Sequence, residues 1–182
     1  MYNENMNKRI FLAIDISDKL KKEILKFRQK FNDLPVRWVA KENLHLTLIP
    51  PLELNDKGIV EMIEKLQALK GKVGRIEINF NRISLGPNLR RPRLIWVGGK
   101  PNQKLIKLKN TITQILGLRR ENRSFLPHLT LARFRPRDFY NFPQIRLKEK
   151  INWQEDAASF SIIQSECLEK GAIYTKMGEI EL

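Results

Sequence analysis

The sequence predicts an α+β fold made of two related lobes. Short apolar runs with strand character alternate with amphipathic helical segments, and no long βαβ series, which would signal a parallel sheet, is present. In addition, one tetrapeptide, His-Leu-Thr-Leu, occurs twice, at His45 to Leu48 and at His128 to Leu131. At 182 residues and 42% hydrophobic content, the chain suits one domain spanning 1–182 rather than two independent ones.

Taken in order, Arg9 to Ile16 is short, apolar and partly β-branched, which predicts a buried strand. Ser17 ends it as the N-cap of a helix whose apolar positions, Leu20, Ile24, Phe27 and Phe31, recur at three- and four-residue steps. Val36 to Val39 reads as extended, Lys41 to Asn43 as a polar turn and Leu44 to Leu48 as a strand. A second helix is expected after Pro50-Pro51, with Ile59, Ile63 and Leu66 on one face. Ile76, Ile78 and Phe80 alternate with polar residues, as in a strand covered on one side. Asn88 to Arg93 forms a basic turn before a strand at Leu94 to Val97, closed by Gly98-Gly99. A third helix carries Leu105, Leu108, Ile112 and Ile115, with Pro101 near its start and Gly117 just past its end. A strand over Phe125 to Arg133 follows, then an aperiodic stretch, Phe134 to Gln154, read as an exposed loop. Two closing strands, Ala158 to Ile163 and Ala172 to Met177, pair across a turn near Lys170-Gly171.

The formal charge of +14, from 34 Lys and Arg against 20 Asp and Glu, favours a polyanionic partner, nucleic acid first among them. A single cysteine, Cys167, excludes an intramolecular disulfide and a thiolate zinc site, and fits a reducing, cytoplasmic setting. No signal peptide or membrane span is expected, because the apolar run near the N-terminus is far below the ~20 residues a span needs.

The repeated tetrapeptide holds the only two histidines of the chain. Strand side chains alternate faces, so His45 with Thr47, and His128 with Thr130, project away from the leucines of each copy. Opening a cyclic phosphodiester needs a base on the attacking water and an acid on the departing sugar oxygen, and imidazole performs either task near neutral pH. Each threonine hydroxyl can hold a non-bridging phosphate oxygen. Arg133 is assigned to the same face by strand parity, where its forked donors suit phosphoryl charge. This scheme calls for no metal and no cofactor.

These residues resemble the 2H phosphoesterase superfamily, and within it the RNA 2′,3′-cyclic phosphodiesterase branch, the LigT-like 2′-5′ RNA ligases. Arg9 to Asp15 is similar to the family's opening strand, Arg37-Trp38-Val39 with Asn43 to Leu48 to its first motif, and Arg93 to Gly98 to the strand between motifs. Pro127 to Arg133 resembles the second motif, and Ser165-Glu166 with Gly171 to Tyr174 the terminal hairpin. The resemblance implies a bilobal pseudo-twofold fold, two antiparallel sheets facing a central cleft with helices packed outside. It implies hydrolysis of RNA 2′,3′-cyclic phosphate ends to 2′-phosphates, with 2′-5′ ligation through the same centre in some members. His45 would protonate the leaving 3′ oxygen and His128 activate water; Thr47, Thr130 and Arg133 would bind phosphate, and Phe11 and Tyr174 the terminal nucleotide.

The expected partner is RNA carrying a cyclic phosphate end, with no membrane, no obligate protein partner and a monomeric state. One departure stands out: Ile49-Pro50-Pro51-Leu52 replaces the family's usual Phe-Leu-Gly continuation. Two alternatives remain, a 2H enzyme acting on a small cyclic nucleotide phosphate or a 2′-5′ oligoadenylate, and a non-catalytic RNA-binding module. Arg90, Arg91 and Arg93, if near the cleft mouth, would favour RNA.

Overall fold

The computed structural model describes residues 6–88, 90–100, 102–121, 124–135, 150–168 and 171–182. Ten strands and three helices follow one another in those segments: β1 (Lys8–Asp15), α1 (Asp18–Gln29), β2 (Arg37–Trp38), β3 (His45–Leu54), α2 (Asp56–Gln67), β4 (Ile76–Phe80), β5 (Arg82–Gly86), β6 (Leu94–Gly98), α3 (Gln103–Ile115), β7 (His128–Arg133), β8 (Trp153–Ala157), β9 (Ser159–Leu168) and β10 (Gly171–Glu181). A single 3-10 turn, Lys41–Asn43, leads into β3. Both sheets are antiparallel throughout. The order β10-β9-β1-β3-β7-β6-β5, with β2 beside β7, makes the large one, and β4 with β8 the small one.

The large sheet is two lobes joined at their inner strands. β10-β9-β1-β3 forms one lobe and β7-β6-β5 the other, and the hydrogen-bonded register between them is the pair Leu46↔Leu129. Both leucines are fully buried, each worth about 1.5–3 kcal/mol of apolar burial. That burial fixes the register at the lobe junction, since a one-residue slip would turn one strand's leucine to the open face while the other stayed inward. The helices cover the leucine side: α2 packs on β3 and β10, and α3 on β3 and α2.

Caps follow the expected chemistry. The Ser17 hydroxyl accepts from the Leu20 amide at 3.4 Å, and Asn102 caps α3 by accepting from Lys104 N at 2.8 Å and Leu105 N at 3.2 Å. Gly117 takes the left-handed conformation (φ 62°) just beyond α3. Pro101, expected near the start of that helix, and Lys170, expected at the closing turn, lie outside the described residues.

Three expectations need correction. The stretch Phe134 to Gln154 is not simply an exposed loop, because Phe134, Ile151 and Trp153 are buried and Trp153 opens β8; residues 136–149 lie outside the described ones. The alternation of β8 was concealed by Glu155, a buried carboxylate at an inward position, which accepts from the Ser17 amide at 2.8 Å at the mouth of α1. The first motif strand also runs on through Pro50-Pro51 to Leu54. Its prolines are exposed and sit where the β1–β3 register slips between Leu12↔Ile49 and Ile10↔Leu52, so no ladder donor is missed. Finally, β5 was not anticipated; it pairs β6 from Arg82↔Gly98 to Gly86↔Leu94.

Candidate active site

The lobe junction sets the site. Residues directly opposite on antiparallel strands share a face, so with Leu46 and Leu129 both turned to the core, their neighbours His45, Thr47, His128 and Thr130 all turn to the other side. Continuing the register by one residue each way sets His45 against Thr130 and Thr47 against His128. The two histidines are then diagonal neighbours across the lobe junction, with Cβ atoms somewhat closer than the about 7–8 Å typical of such diagonal pairs. All four side chains are half-buried.

The two imidazoles are oriented by the same local bond. His45 Nδ1 lies 2.8 Å from the Asn43 carbonyl, and His128 Nδ1 lies 3.0 Å from the Leu126 carbonyl, each two residues upstream. A carbonyl only accepts, so Nδ1 carries the proton in both rings. Nε2 is thereby left to accept or donate a proton on the open face. Asn43 is itself held by its side-chain amide, which donates to the Ala172 carbonyl at 2.9 Å.

Their surroundings differ. Phe11 (centroid distance 5.0 Å) and Tyr174 (5.4 Å) pack against the His45 ring, and they contact each other at 5.0 Å. Trp96 flanks His128 at 4.5 Å, its indole N–H donating to Ser84 Oγ at 3.0 Å. Gly86 makes space for that indole, since a Cβ there would meet the ring at 2.4 Å. Burial lowers the His45 pKa from its ordinary value, with Arg133 and His128 adding to the effect; the Asn43 carbonyl and Asp15 oppose it. Asp15 is the β1 residue registered with His45, and its carboxylate is held by Ser161 Oγ at 2.7 Å and Lys176 Nζ at 2.7 Å.

Arg133 reaches the open face, but strand parity is not the reason. Its offset from Thr130 is odd, so strict alternation would send it to the leucine side. A bulge corrects the phase: the β6–β7 register passes from Trp96↔Thr130 to Ile95↔Ala132, and Leu131 and Ala132 are both buried. A matching irregularity follows the first motif, where Leu48 and Ile49 are both buried.

A cavity of about 450 Å³ is lined by Phe11, His45, Thr47, Arg133 and Tyr174, together with Arg9, Arg37 and the β9–β10 hairpin. A second, of about 250 Å³, adds Thr130, Trp38 and Asn43. The structure therefore gathers His45, Thr47, Thr130, Arg133, Phe11 and Tyr174 around two cavities that share His45, Arg133 and Tyr174. His128 is on the same face by register but lines neither cavity. Phe11 is only 3% exposed, its ring enclosed by His45 and Tyr174, whereas Tyr174 is half-buried and lines both cavities. Arg90, Arg91 and Arg93 line neither cavity. Sequence reading placed Arg37, Asn43, Asp15 and Trp96 within the family-like segments but gave none of them a role at the site. Only Trp96 carried a signal, since its side chain alternates with the buried Ile95 and Val97. Among the described residues no three His, Cys, Asp or Glu side chains converge on a point, and no helix is long and apolar enough to cross a membrane.

A pseudo-twofold α+β sheet presenting a His-x-Thr pair from each lobe to one face defines the class of two-histidine phosphoesterases. The LigT-like phosphoesterase model matches residues 14–96, which contain the first motif. Relatives span both motifs. The chain is 30% identical to the RNA 2′,3′-cyclic phosphodiesterase of Methanocaldococcus jannaschii, over 94% of this chain and 99% of that one. It is 28% identical to the protein of the same name from Thermotoga maritima, over 95% of each. E. coli LigT in complex with 3′-AMP superposes with a TM-score of 0.79 at 25% identity, covering 97% of this chain and 98% of that one. The chain belongs to the LigT-like, 2H phosphoesterase family.

Proposed function

We propose that this protein hydrolyses 2′,3′-cyclic phosphates at RNA ends to 2′-phosphates, with His45 as acid and His128 as base. The crosswise array on the open face, each imidazole opposite the other motif's threonine, carries this reading. It is supported by the names of the M. jannaschii and T. maritima relatives and by the 3′-AMP complex of E. coli LigT.

In the reaction, water attacks phosphorus while His128 Nε2 takes its proton. The bond from phosphorus to O3′ breaks, and His45 Nε2–H delivers a proton to O3′. Thr47 and Thr130 hold non-bridging oxygens, and Arg133 meets the charge that gathers there as the bond breaks. The half-buried Tyr174 offers its ring to the terminal base, with Phe11 packed behind it. The two imidazoles supply both proton transfers, so the scheme runs without a metal. A 5′-hydroxyl in place of water would give a 2′-5′ linkage through the same bond changes.

The test is to incubate the protein with an oligonucleotide ending in a 2′,3′-cyclic phosphate, in EDTA, and to follow the end group by mass and phosphorus NMR. Gain of one water and a 2′-phosphate resonance are expected. Persistence of the ring with folded protein overturns the activity, and a 3′-phosphate product overturns the assignment of the leaving oxygen.

A further inference from the structure

Arg37 and Arg133 are directly opposed on adjacent antiparallel strands, β2 and β7. Like charges in that position repel, which disfavours the pairing unless something negative lies between them. Among the described residues neither guanidinium has a carboxylate partner, although exposed cations elsewhere do, as in Arg75 with Asp156 at 2.7 Å. Both arginines line the two cavities of the site and also a third, of about 290 Å³, which continues past Pro35 to Phe134 and Arg135. No carboxylate is found among the described residues lining any of the three.

One cyclic phosphate carries a single negative charge, and Arg133 already answers it. A second fork aimed into a continuation of the same furrow calls for a second anion, close to the first and joined to it. We propose that the furrow between Arg37, Arg133 and Arg135 is a subsite for the phosphate on the 5′ oxygen of the terminal nucleotide, so that the enzyme selects RNA chain ends over nucleoside cyclic phosphates. This rests on the phosphodiesterase reading above and adds a chain-length preference to it. Arginine fits the role because its planar fork pairs two phosphate oxygens at once.

The experiment compares kcat/KM for three substrates: a nucleoside 2′,3′-cyclic phosphate, the same compound bearing a 5′-phosphate, and a dinucleotide ending in the cyclic phosphate. For the unaltered protein, the second and third are expected to exceed the first by about tenfold, chiefly through KM, as one charge-assisted contact supplies. In R37Q that ratio should fall to within about threefold, with R37K intermediate. The salt dependence of kcat/KM on the dinucleotide should lose about 0.7 in log–log slope, the share of one single-strand phosphate. Arg37 is exposed, so melting curves of R37Q and the parent should coincide.

Equal kcat/KM for all three substrates overturns the subsite and leaves the phosphodiesterase reading standing. A gain confined to the dinucleotide that survives R37Q assigns the preference to the neighbouring base and likewise overturns it. Failure to open any of the three rings overturns both.

Discussion

The two histidine motifs are equivalent in backbone and unlike in surroundings. Each imidazole is oriented by an Nδ1 contact to the carbonyl two residues before it, and each motif is followed by two consecutive buried residues where the ladder slips. After that slip the copies diverge: the strand continues with exposed prolines in β3, and with Arg133 in β7. His45 is enclosed by Phe11 and Tyr174 with Asp15 alongside, whereas His128 has Trp96 against it. The repeated local pattern thus accounts for the shared geometry, and the different neighbours for the asymmetry. A reaction that needs one acid and one base requires both.

The sharpest way to break that comparison is to remove each imidazole in turn. H45A and H128A are each expected to lower kcat by about 10²–10⁴, and the double variant should be little worse than the weaker single, because acid and base act as one unit. Initial rates on an RNA cyclic phosphate end provide the check. Substantial activity in either single variant would mean that the two halves are not partners.

Next in size is the arginine found in one half only. R133Q should cost about 10²–10³ in kcat, a larger loss than any single change at Pro50, the matching position of the other motif. If R133Q and P50A fell equally, the asymmetry after the bulge would have no chemical meaning. The threonines come next: T47V and T130V each remove a hydroxyl contact to a charged oxygen, and a loss near tenfold is expected for either. Because they oppose each other's histidine across the lobe junction, the two losses should be similar.

Much of this was legible in the sequence, and the exceptions have physical causes. The helices and β1, β3, β4, β6 and β7 declare themselves through periodic burial, and the histidine pair through repetition. β8 was missed because a buried carboxylate, Glu155, occupies an inward position and reads as polar. Arg133 was given the right face by a wrong count, since a bulge is invisible to alternation. Arg37 lies on a two-residue strand with no pattern to read, and its meaning comes only from the strand opposite. Trp96 alternates with the buried Ile95 and Val97, which marks it as facing away from the core, but its place against His128 is visible only in the fold.

The smallest expected effect is the most diagnostic of role. Burial holds the His45 pKa below its ordinary value, so as the acid it loses its proton early, and the alkaline limb of kcat/KM should begin below about 6.5. Asp15 pushes that pKa up and Arg133 pushes it down. Removing the carboxylate in D15N should therefore move the alkaline limb to lower pH, and removing the guanidinium in R133Q should move the residual activity's limb to higher pH. Bound cyclic phosphate brings a negative charge beside His45, so the limb in kcat should lie above that in kcat/KM. If the acidic limb responds to D15N instead, His45 is the base and the two halves exchange roles. If neither limb moves, Asp15 is a structural neighbour of His45 without electrical influence on it, and the asymmetry between the motifs must originate in the aromatic rings alone.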